Sequence, residues 1–422
     1  MASTYPRTLL IISFIVLCGF LLTKCMNSGS KNDGLIRDLE GNVFAGSASC
    51  ASCHKDIYES HIKTAHYLTS QPASDSLIKG SFKKGENVFA FSPSVAVVME
   101  ERRDSFYQVE YLHGQEKTAQ RFDIVIGSGT KGQSYLWWKK NRLFQLPITY
   151  FTALHQWTNS PGYPGRVVFN RPITSRCLEC HTTYAEKLPG KGKAQDEFDQ
   201  TGILYGVDCE KCHGPSAGHV EYHSQRPGDT GNAKYIINPS SLTRQQNLDL
   251  CMLCHGGRLT RTKPSFSYQV GDKLTDYFIR DTIGTSPLNI DVHGNQYGLL
   301  QASKCFKASE MDCGSCHNVH ENEKGNIAVF SQRCLSCHSG EHKKTCKMTE
   351  AIGPGITRNC IDCHMPAQQS HSIAVMIQGS STPTAALLRT HFIKIYPEES
   401  KKTMSGVFSI QENSKEQSSI KK

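Results

Sequence analysis

Apolar residues are unevenly distributed along the chain, and the first apolar stretch lies close to its start. Residues 9–22 are almost entirely apolar and follow one basic residue, Arg7. A transmembrane helix needs about 20 apolar residues, so this shorter run is typical of the core of a signal peptide. We therefore predict that residues 1–25 direct export and that residues 26–45 form a linker.

The end of this segment predicts association with a membrane. Residues 22–25 read Leu-Thr-Lys-Cys, a degraded lipoprotein signal in which Lys24 replaces the small residue expected before the lipid-bearing cysteine. Lipidation at Cys25, an uncleaved anchor and plain secretion are the three alternatives. Each places the protein outside the cytoplasmic membrane, in the periplasm or facing the periplasm or the cell exterior.

A second pattern predicts β-structure. Residues 106–111 alternate apolar with polar side chains, residues 121–126 are rich in β-forming types, and Gly and Ser separate them. We predict a small antiparallel β element at 85–150 within a β-rich insertion spanning 85–170. It serves as a platform for neighbouring segments or as a docking surface for a partner, and we favour the platform.

Candidate chemistry lies in a motif that occurs seven times, Cys-x-x-Cys-His. One helical turn brings both thiols to one side, where each forms a thioether to haem, and the adjoining His becomes the proximal iron ligand. About seven covalently attached haems c are predicted. The attachment cysteines are Cys50, Cys53, Cys177, Cys180, Cys209, Cys212, Cys251, Cys254, Cys313, Cys316, Cys334, Cys337, Cys360 and Cys363. The proximal ligands are His54, His181, His213, His255, His317, His338 and His364.

Zinc binding does not explain this set. Zinc sites usually combine two Cys pairs, or one pair with a distant His pair, and do not need a His after every second Cys. A disulfide framework leaves the same His unexplained. Covalent haem attachment agrees with export, because that chemistry takes place in the bacterial periplasm.

Haem also changes the meaning of composition and charge. Only 38% of the residues are hydrophobic and the mean hydropathy is −0.42, so apolar porphyrins are expected to supply much of the core. The formal charge is +9. Haem propionates and irons bring the total to about +2 when oxidised and about −5 when reduced, so the basic surplus does not predict nucleic-acid binding.

These observations predict a mainly α fold with much irregular structure, packed around haem and carrying the β element between the first and second motifs. We expect a first haem segment at 46–84, a six-haem cytochrome region at 171–398 and a disordered tail at 399–422, which is rich in Ser, Lys, Glu and Gln.

The second axial ligand of each haem iron decides whether that iron can bind a small molecule. An iron with His on both faces only passes electrons, whereas an iron without a sixth ligand binds small molecules. Eleven histidines lie outside the motifs, enough for seven irons. They are His61, His66, His113, His155, His219, His223, His293, His320, His342, His371 and His391.

Four stretches resemble the cytochrome c-552/c-554 family of multihaem cytochromes. The first is the Cys50–Ser70 segment, in which Thr64-Ala65 precedes His66. The others are Cys-His-Gly-Pro at 212–215 with a later His219, the 293–320 stretch with its fifth motif, and Cys-His-Met-Pro at 363–366 with a later Arg-Thr-His. Together they span about residues 46–395.

The resemblance implies distal ligands that usually serve a haem other than the nearest in sequence. These are His66, His219, His293, His320 and His391. His320 lies three residues after His317 and cannot serve the opposite face of the same haem. His342 and His371 are weaker choices for the last two irons, with His61 and His223 in reserve.

Two cysteines remain once the motifs, Cys18 of the signal segment and Cys25 are set aside. They are Cys305 and Cys346. In an oxidising compartment two spare thiols predict a disulfide, with two buried free thiols as the alternative.

Electron transfer is favoured over catalysis, because the histidine supply can close every iron. The predicted protein carries electrons between membrane redox partners and terminal acceptors, and its partners are redox proteins. One alternative is an oxidoreductase acting on a small nitrogen or sulfur oxyanion at one open haem, although every motif ends in His and Cys-x-x-Cys-Lys is absent. The other is a haem-bearing scaffold or filament subunit.

Overall fold

The computed structural model describes residues 34–190, 195–281, 286–339 and 346–403. The signal segment, Cys25, His342 and the tail beyond residue 403 lie outside these ranges. Helix makes up 28% of the structure and strand 27%. The prediction of a mainly α fold is therefore wrong, because segments between motifs that we expected to be irregular pair into hairpins.

The helices of the described residues are short, and six of them contain all or part of a haem motif. They include α1 (Ser47–Cys50), α2 (Lys55–His61), α3 (Ser175–His181), α4 (Cys209–His213), α5 (Ala217–Gln225), α6 (Arg244–His255), α7 (Gln296–Gln301), α8 (Lys304–Lys307), α9 (Ile327–His338), α10 (Thr349–Ile352) and α11 (Ile361–His364). Single 3₁₀ turns lie at Tyr67–Thr69, Thr152–Leu154, Pro239–Ser241, Leu274–Asp276, Pro287–Asn289 and Pro354–Arg358.

The strands of the described residues fall into a β region and three later hairpins. The β region contains β1 (Ser70–Pro72), β2 (Val88–Ser92), β3 (Val95–Arg102), β4 (Ser105–Leu112), β5 (Gln115–Arg121), β6 (Ile124–Ile126), β7 (Gly132–Lys139), β8 (Arg142–Gln145), β9 (Ile148–Phe151), β10 (Gln156–Asn159) and β11 (Arg171–Pro172). The hairpins pair β12 (Thr182–Lys187) with β13 (Phe198–Tyr205), β14 (Leu259–Arg261) with β15 (Phe278–Arg280), and β16 (Ala367–Val375) with β17 (Thr384–Arg389).

The β region consists of two antiparallel sheets. Strands β2, β3, β4 and β5 form a four-stranded meander, and the second sheet has the order β1-β6-β7-β8-β11 with β9 and β10 attached through β7. A core that includes Met99, Tyr135 and Trp157 packs between them. The fully buried amide of Gln108 on β4 donates to Ile148 O on β9 at 2.7 Å and accepts from Ile148 N at 3.0 Å, which ties the two sheets together.

The β region contacts the first and second haem segments directly. Strand β1 follows the 3₁₀ turn after His66 and pairs with β6. The hydroxyl of Thr69 donates to His181 O at 3.0 Å, and Val207 N donates to His66 O at 2.9 Å. Residues 66–70 therefore connect the β region, the second motif and the chain that enters the third.

No helix of the described residues is long and apolar enough to cross a membrane.

Candidate haem-binding sites

Each Cys-x-x-Cys-His motif forms about one turn of helix. In the first motif His54 N donates to Cys50 O at 2.8 Å, and in the fifth His317 N donates to Cys313 O at 3.0 Å. The fourth and sixth motifs end the two longest helices, α6 and α9. A capping box of Thr243 and Gln246 begins α6, and the side chain of Asn326 caps α9. The turn presents both thiols and the imidazole together.

Imidazole rings from distant segments meet in pairs. The ring centroids of His66 and His255 are 6.2 Å apart. His213 and His320 are separated by 6.1 Å with nearly parallel rings, and His317 and His391 by 6.2 Å. Burial lowers the pKa of His181, and the charge of His293 contributes to this lowering, which places His293 in the neighbourhood of His181.

This spacing fits a metal between the rings. Metal–imidazole bonds of about 2 Å, with each ring nitrogen about 1.1 Å from its ring centre, put two imidazoles on opposite sides of one iron with centroids about 6 Å apart. The rings of His219 and His223 are closer, with centroids 4.6 Å apart and an interplanar angle of 56°. The rings of His61 and His320 are 6.3 Å apart, but both nitrogens of His61 face backbone carbonyls. In each of the three pairs above, a motif histidine faces a histidine from a distant segment at a spacing compatible with bis-His iron ligation.

Hydrogen bonds orient several of the proximal imidazoles. The Nδ1 of His213 donates to Ile237 O at 2.8 Å, and that of His364 lies 3.1 Å from Lys394 O. The Nδ1 of His255 lies 3.0 Å from Gln296 Oε1. Such bonds fix the ring and leave Nε2 free to bind iron. The Nδ1 atoms of His181 and His391 are buried without a protein partner.

Burial favours the neutral form of His66 and His391. It lowers the pKa of His66 to about 4, with a smaller contribution from His255, and it lowers the pKa of His391 to about 4, with a smaller contribution from His317. A neutral imidazole has a nitrogen lone pair available for a metal. These side chains are suited to act as ligands at neutral pH.

Thiols of different motifs also lie close enough to shift each other's pKa. The pairs are Cys50 with Cys209, Cys180 with Cys254, Cys251 with Cys313, and Cys334 with Cys360. The first motif therefore adjoins the third despite its distance in sequence. The second adjoins the fourth, the fourth adjoins the fifth, and the sixth adjoins the seventh.

The other predicted ligands lie elsewhere. His219 is on α5, where its Nδ1 lies 2.9 Å from Lys234 O, and the neighbouring His223 has a buried Nε2 without a protein partner. His371 is exposed on β16. Both ring nitrogens of His61 face backbone carbonyls, so this reserve candidate has no nitrogen free for iron.

The spare cysteines are not joined in the structure. Cys305 is a half-buried free thiol and Cys346 an exposed one. The charge of Cys305 contributes to raising the pKa of Cys316 and of Cys334, which places Cys305 beside the fifth and sixth motifs.

Sequence reasoning missed two carboxylates that hold the site together. Glu210, inside the third motif, accepts from Ala45 N at 2.8 Å, Gly46 N at 2.9 Å and Ser216 N at 2.8 Å. Asp291 accepts from His293 N at 2.8 Å and from Ser372 N at 2.6 Å. For Glu210 the only sequence signal was its position between two attachment cysteines, and for Asp291 there was none.

Part of the chain is similar to known proteins. Residues 167–214, which contain the second and third motifs, match the family described as cytochrome c554 and c-prime. The multihaem cytochrome MtrA of Shewanella baltica is 25% identical over 196 residues, which cover 45% of this chain and 45% of that protein. The chain thus spans under half the length of this curated relative.

A solved structure is also similar. The outer cell wall cytochrome OcwA aligns with 85% of this chain and 81% of its own, with 16% identity and a TM-score of 0.49. The repeated attachment motif, the family match and the curated relative together support a multihaem c-type cytochrome.

Proposed function

We propose that this chain is an exported cytochrome with seven haems c that transfers electrons along mostly bis-His irons between membrane redox partners and terminal acceptors. When bound, each haem supplies a one-electron couple. The observation that carries the proposal is the spacing of the imidazole pairs, 6.1 to 6.2 Å in the three measured cases. Two closed faces leave no iron position for a substrate.

The ligand assignment follows from these pairs. His66 is the distal partner of His255, and His320 that of His213. His391 is the distal partner of His317, and His293 that of His181. In each pair the distal residue comes from outside the nearest motif. His219, His371 and His342 remain our candidates for the irons of His54, His338 and His364.

Contacts between motifs support an order for the haems. The thiol contacts connect the first motif to the third and the fourth to the fifth, and the His213–His320 pair connects the third to the region beside the fifth. The charge of Cys337 also contributes to raising the pKa of Cys316, which brings the sixth motif beside the fifth. We infer a continuous series of motifs 1, 3, 4, 5, 6 and 7, with the second beside the fourth.

The protein matrix has three tasks in this function. It holds attachment motifs in contact so that neighbouring haem edges are close. It closes the iron faces with imidazole ligands. It also keeps the haem irons buried, because burial and hydrogen bonds to the ligands control the reduction potential. A location outside the cytoplasmic membrane and docking to redox proteins complete the proposal.

Spectroscopy tests the function directly. The haem content of the purified holoprotein is measured by pyridine haemochrome, and electron paramagnetic resonance is recorded on the oxidised form. We expect seven haems with low-spin ferric signals and no carbon monoxide binding after reduction. A high-spin haem that binds carbon monoxide would instead favour the oxidoreductase.

Combining His391→Ala with substitutions that remove one haem tests the assignment of His391. His391→Ala should give one high-spin haem, because the iron above His317 loses its second ligand. Adding Cys313→Ser and Cys316→Ser removes that haem and should remove the high-spin signal. Adding Cys360→Ser and Cys363→Ser to His391→Ala instead should leave the high-spin signal in place. The reverse pattern would assign His391 to the seventh motif. His113→Ala, on an exposed turn, is the matched control.

A further inference from the structure

His61 is a buried histidine that the electron path does not use. It ends α2, directly after the first motif, and is 7% exposed. Its Nδ1 lies 3.3 Å from Val319 O and its Nε2 lies 3.2 Å from Val207 O. The ring therefore bridges two backbone segments that are far from it in sequence.

The contacts of His61 join three segments of the chain. A backbone carbonyl is only an acceptor, so a ring nitrogen bonds to it by donating its hydrogen. The mostly buried Asp208 carboxylate lies 3.6 Å from Nε2. The first haem segment is thereby connected to the chain entering the third motif and to the chain leaving the fifth.

The two carbonyls have a specific relation to one proposed iron site. Val207 lies two residues before Cys209, which opens the motif of His213, whereas Val319 immediately precedes His320. His213 and His320 face each other at 6.1 Å with an interplanar angle of 19°. The His61 ring meets the His320 ring edge-on at 6.3 Å. One side chain thus contacts the backbone immediately before His320 and the backbone two residues before the third motif.

We propose that His61 is a positioning residue that fixes the orientation of His320 opposite His213. This rests on the proposed bis-His ligation of that iron. His61 holds the Val319 carbonyl from one side and the Val207 carbonyl from the other, and so sets the angle between the two imidazole planes. Ligand orientation of this kind is controlled by groups that bond to the ligand or to its backbone.

The inference is tested in the holoprotein with His61→Phe, which keeps an aromatic ring and removes both ring nitrogens. We expect unchanged haem content and a shift of one low-spin resonance among the seven, since that signal depends on the angle between the ligand planes. His61→Gln has an amide with two hydrogens and should restore the resonance towards its original position. His113→Phe, at an exposed turn, makes the same replacement away from any iron site and should leave every resonance unchanged.

Two outcomes overturn the proposal. The first is a His61→Phe spectrum identical to that of the unaltered protein. The second is a new high-spin haem in His61→Phe, which would make His61 a ligand. If His61→Phe does not accumulate, His61→Leu decides, because it also removes both ring nitrogens: a shifted low-spin resonance supports the inference, and an unchanged spectrum or a high-spin signal refutes it. His320→Ala separately tests the underlying pair, and its failure to produce a high-spin haem refutes the His213–His320 assignment whatever His61 does.

Discussion

The Arg333 guanidinium donates to the Glu323 carboxylate and joins the segment that follows the fifth motif to the helix that carries the sixth. One nitrogen of Arg333 is 2.7 Å from Glu323 Oε2 and also donates to Cys316 O at 2.7 Å. Glu323 accepts in addition from Asn318 N at 3.0 Å. Arg333 immediately precedes Cys334, so this ion pair sets the separation of two attachment sites.

We expect Glu323→Gln to lower the free energy of unfolding by about 1–2 kcal/mol at pH 7. The hydrogen bond from Arg333 holds the pKa of Glu323 below its usual range. The stabilisation is therefore present above the unfolded-state pKa, about 4.3, and is lost as the pH falls through the lower folded-state value. Thermal unfolding from pH 7 to pH 3 should show the variant and the original protein converging at the acidic end.

The control for this measurement is Glu398→Gln, because Glu398 pairs with Lys401 on an exposed surface. It should have almost no effect at any pH. A Glu323→Gln difference that stays constant down to pH 3 would contradict the role of the carboxylate charge.

Asp291 should control the order of the His293 loop. Its carboxylate receives bonds from His293 N, Ser370 Oγ and Ser372 N, and so fastens the loop to β16. Asp291→Ala leaves these donors without their acceptor, and we expect a fraction of one haem to become high-spin as His293 loses its fixed position. Electron paramagnetic resonance measures that fraction, and Asp75→Ala is a control at an exposed carboxylate in another turn. An entirely low-spin spectrum in Asp291→Ala would show that His293 is held without it.

Glu210 should hold the chain that enters the first motif. Its buried carboxylate accepts from the amides of Ala45 and Gly46 as well as from Ser216. Glu210→Gln cannot accept all of these bonds, and we expect a loss of about 2–3 kcal/mol in unfolding free energy. Limited proteolysis should cut faster near residues 45–50. Glu221→Gln, at an exposed residue of α5, is the matched control, and equal digestion of the two variants would argue against this anchor.

Gly80 should be essential to the packing of the β region. A methyl group at this position would overlap the indole ring of Trp157, which is buried and donates to Ser81 O at 2.7 Å. Gly80→Ala is expected to cost about 1–3 kcal/mol through this overpacking. Calorimetry of Gly80→Ala and Gly165→Ala tests the point, since nothing lies within 4 Å of the position where Gly165 would carry a methyl group. Equal melting temperatures would show that the indole moves aside freely.

The strands of the β region were the part of the fold most accessible from the sequence. Residues 106–111 alternate, and β4 covers Ser105–Leu112, with Phe106 packed in the core and Gln108 fully buried on the same face. The later hairpins were missed because their strands lack such a pattern. Strand β16 is largely polar, and it is stabilised by pairing with β17 and by bonds to Asp291.

The haem sites also have one part that the sequence predicts and one part that it does not. The attachment cysteines and proximal histidines are adjacent in sequence, so one turn of helix defines them. The rings that face them are not local, because nothing in the sequence around His66 specifies His255 as its neighbour. Family resemblance singled out the distal candidates, but their partners depend on how the β region and the hairpins bring separate segments together.

The three imidazole pairs are also interlocked along the chain, with a consequence for how the protein folds. The spans 66–255, 213–320 and 317–391 overlap so that a break anywhere between His66 and His391 separates at least one pair. No portion of this stretch can complete its own contacts, so we expect one cooperative unfolding transition and no autonomous half. Closing such long loops slows folding, which leaves the last pair to form only when the C-terminal segment arrives.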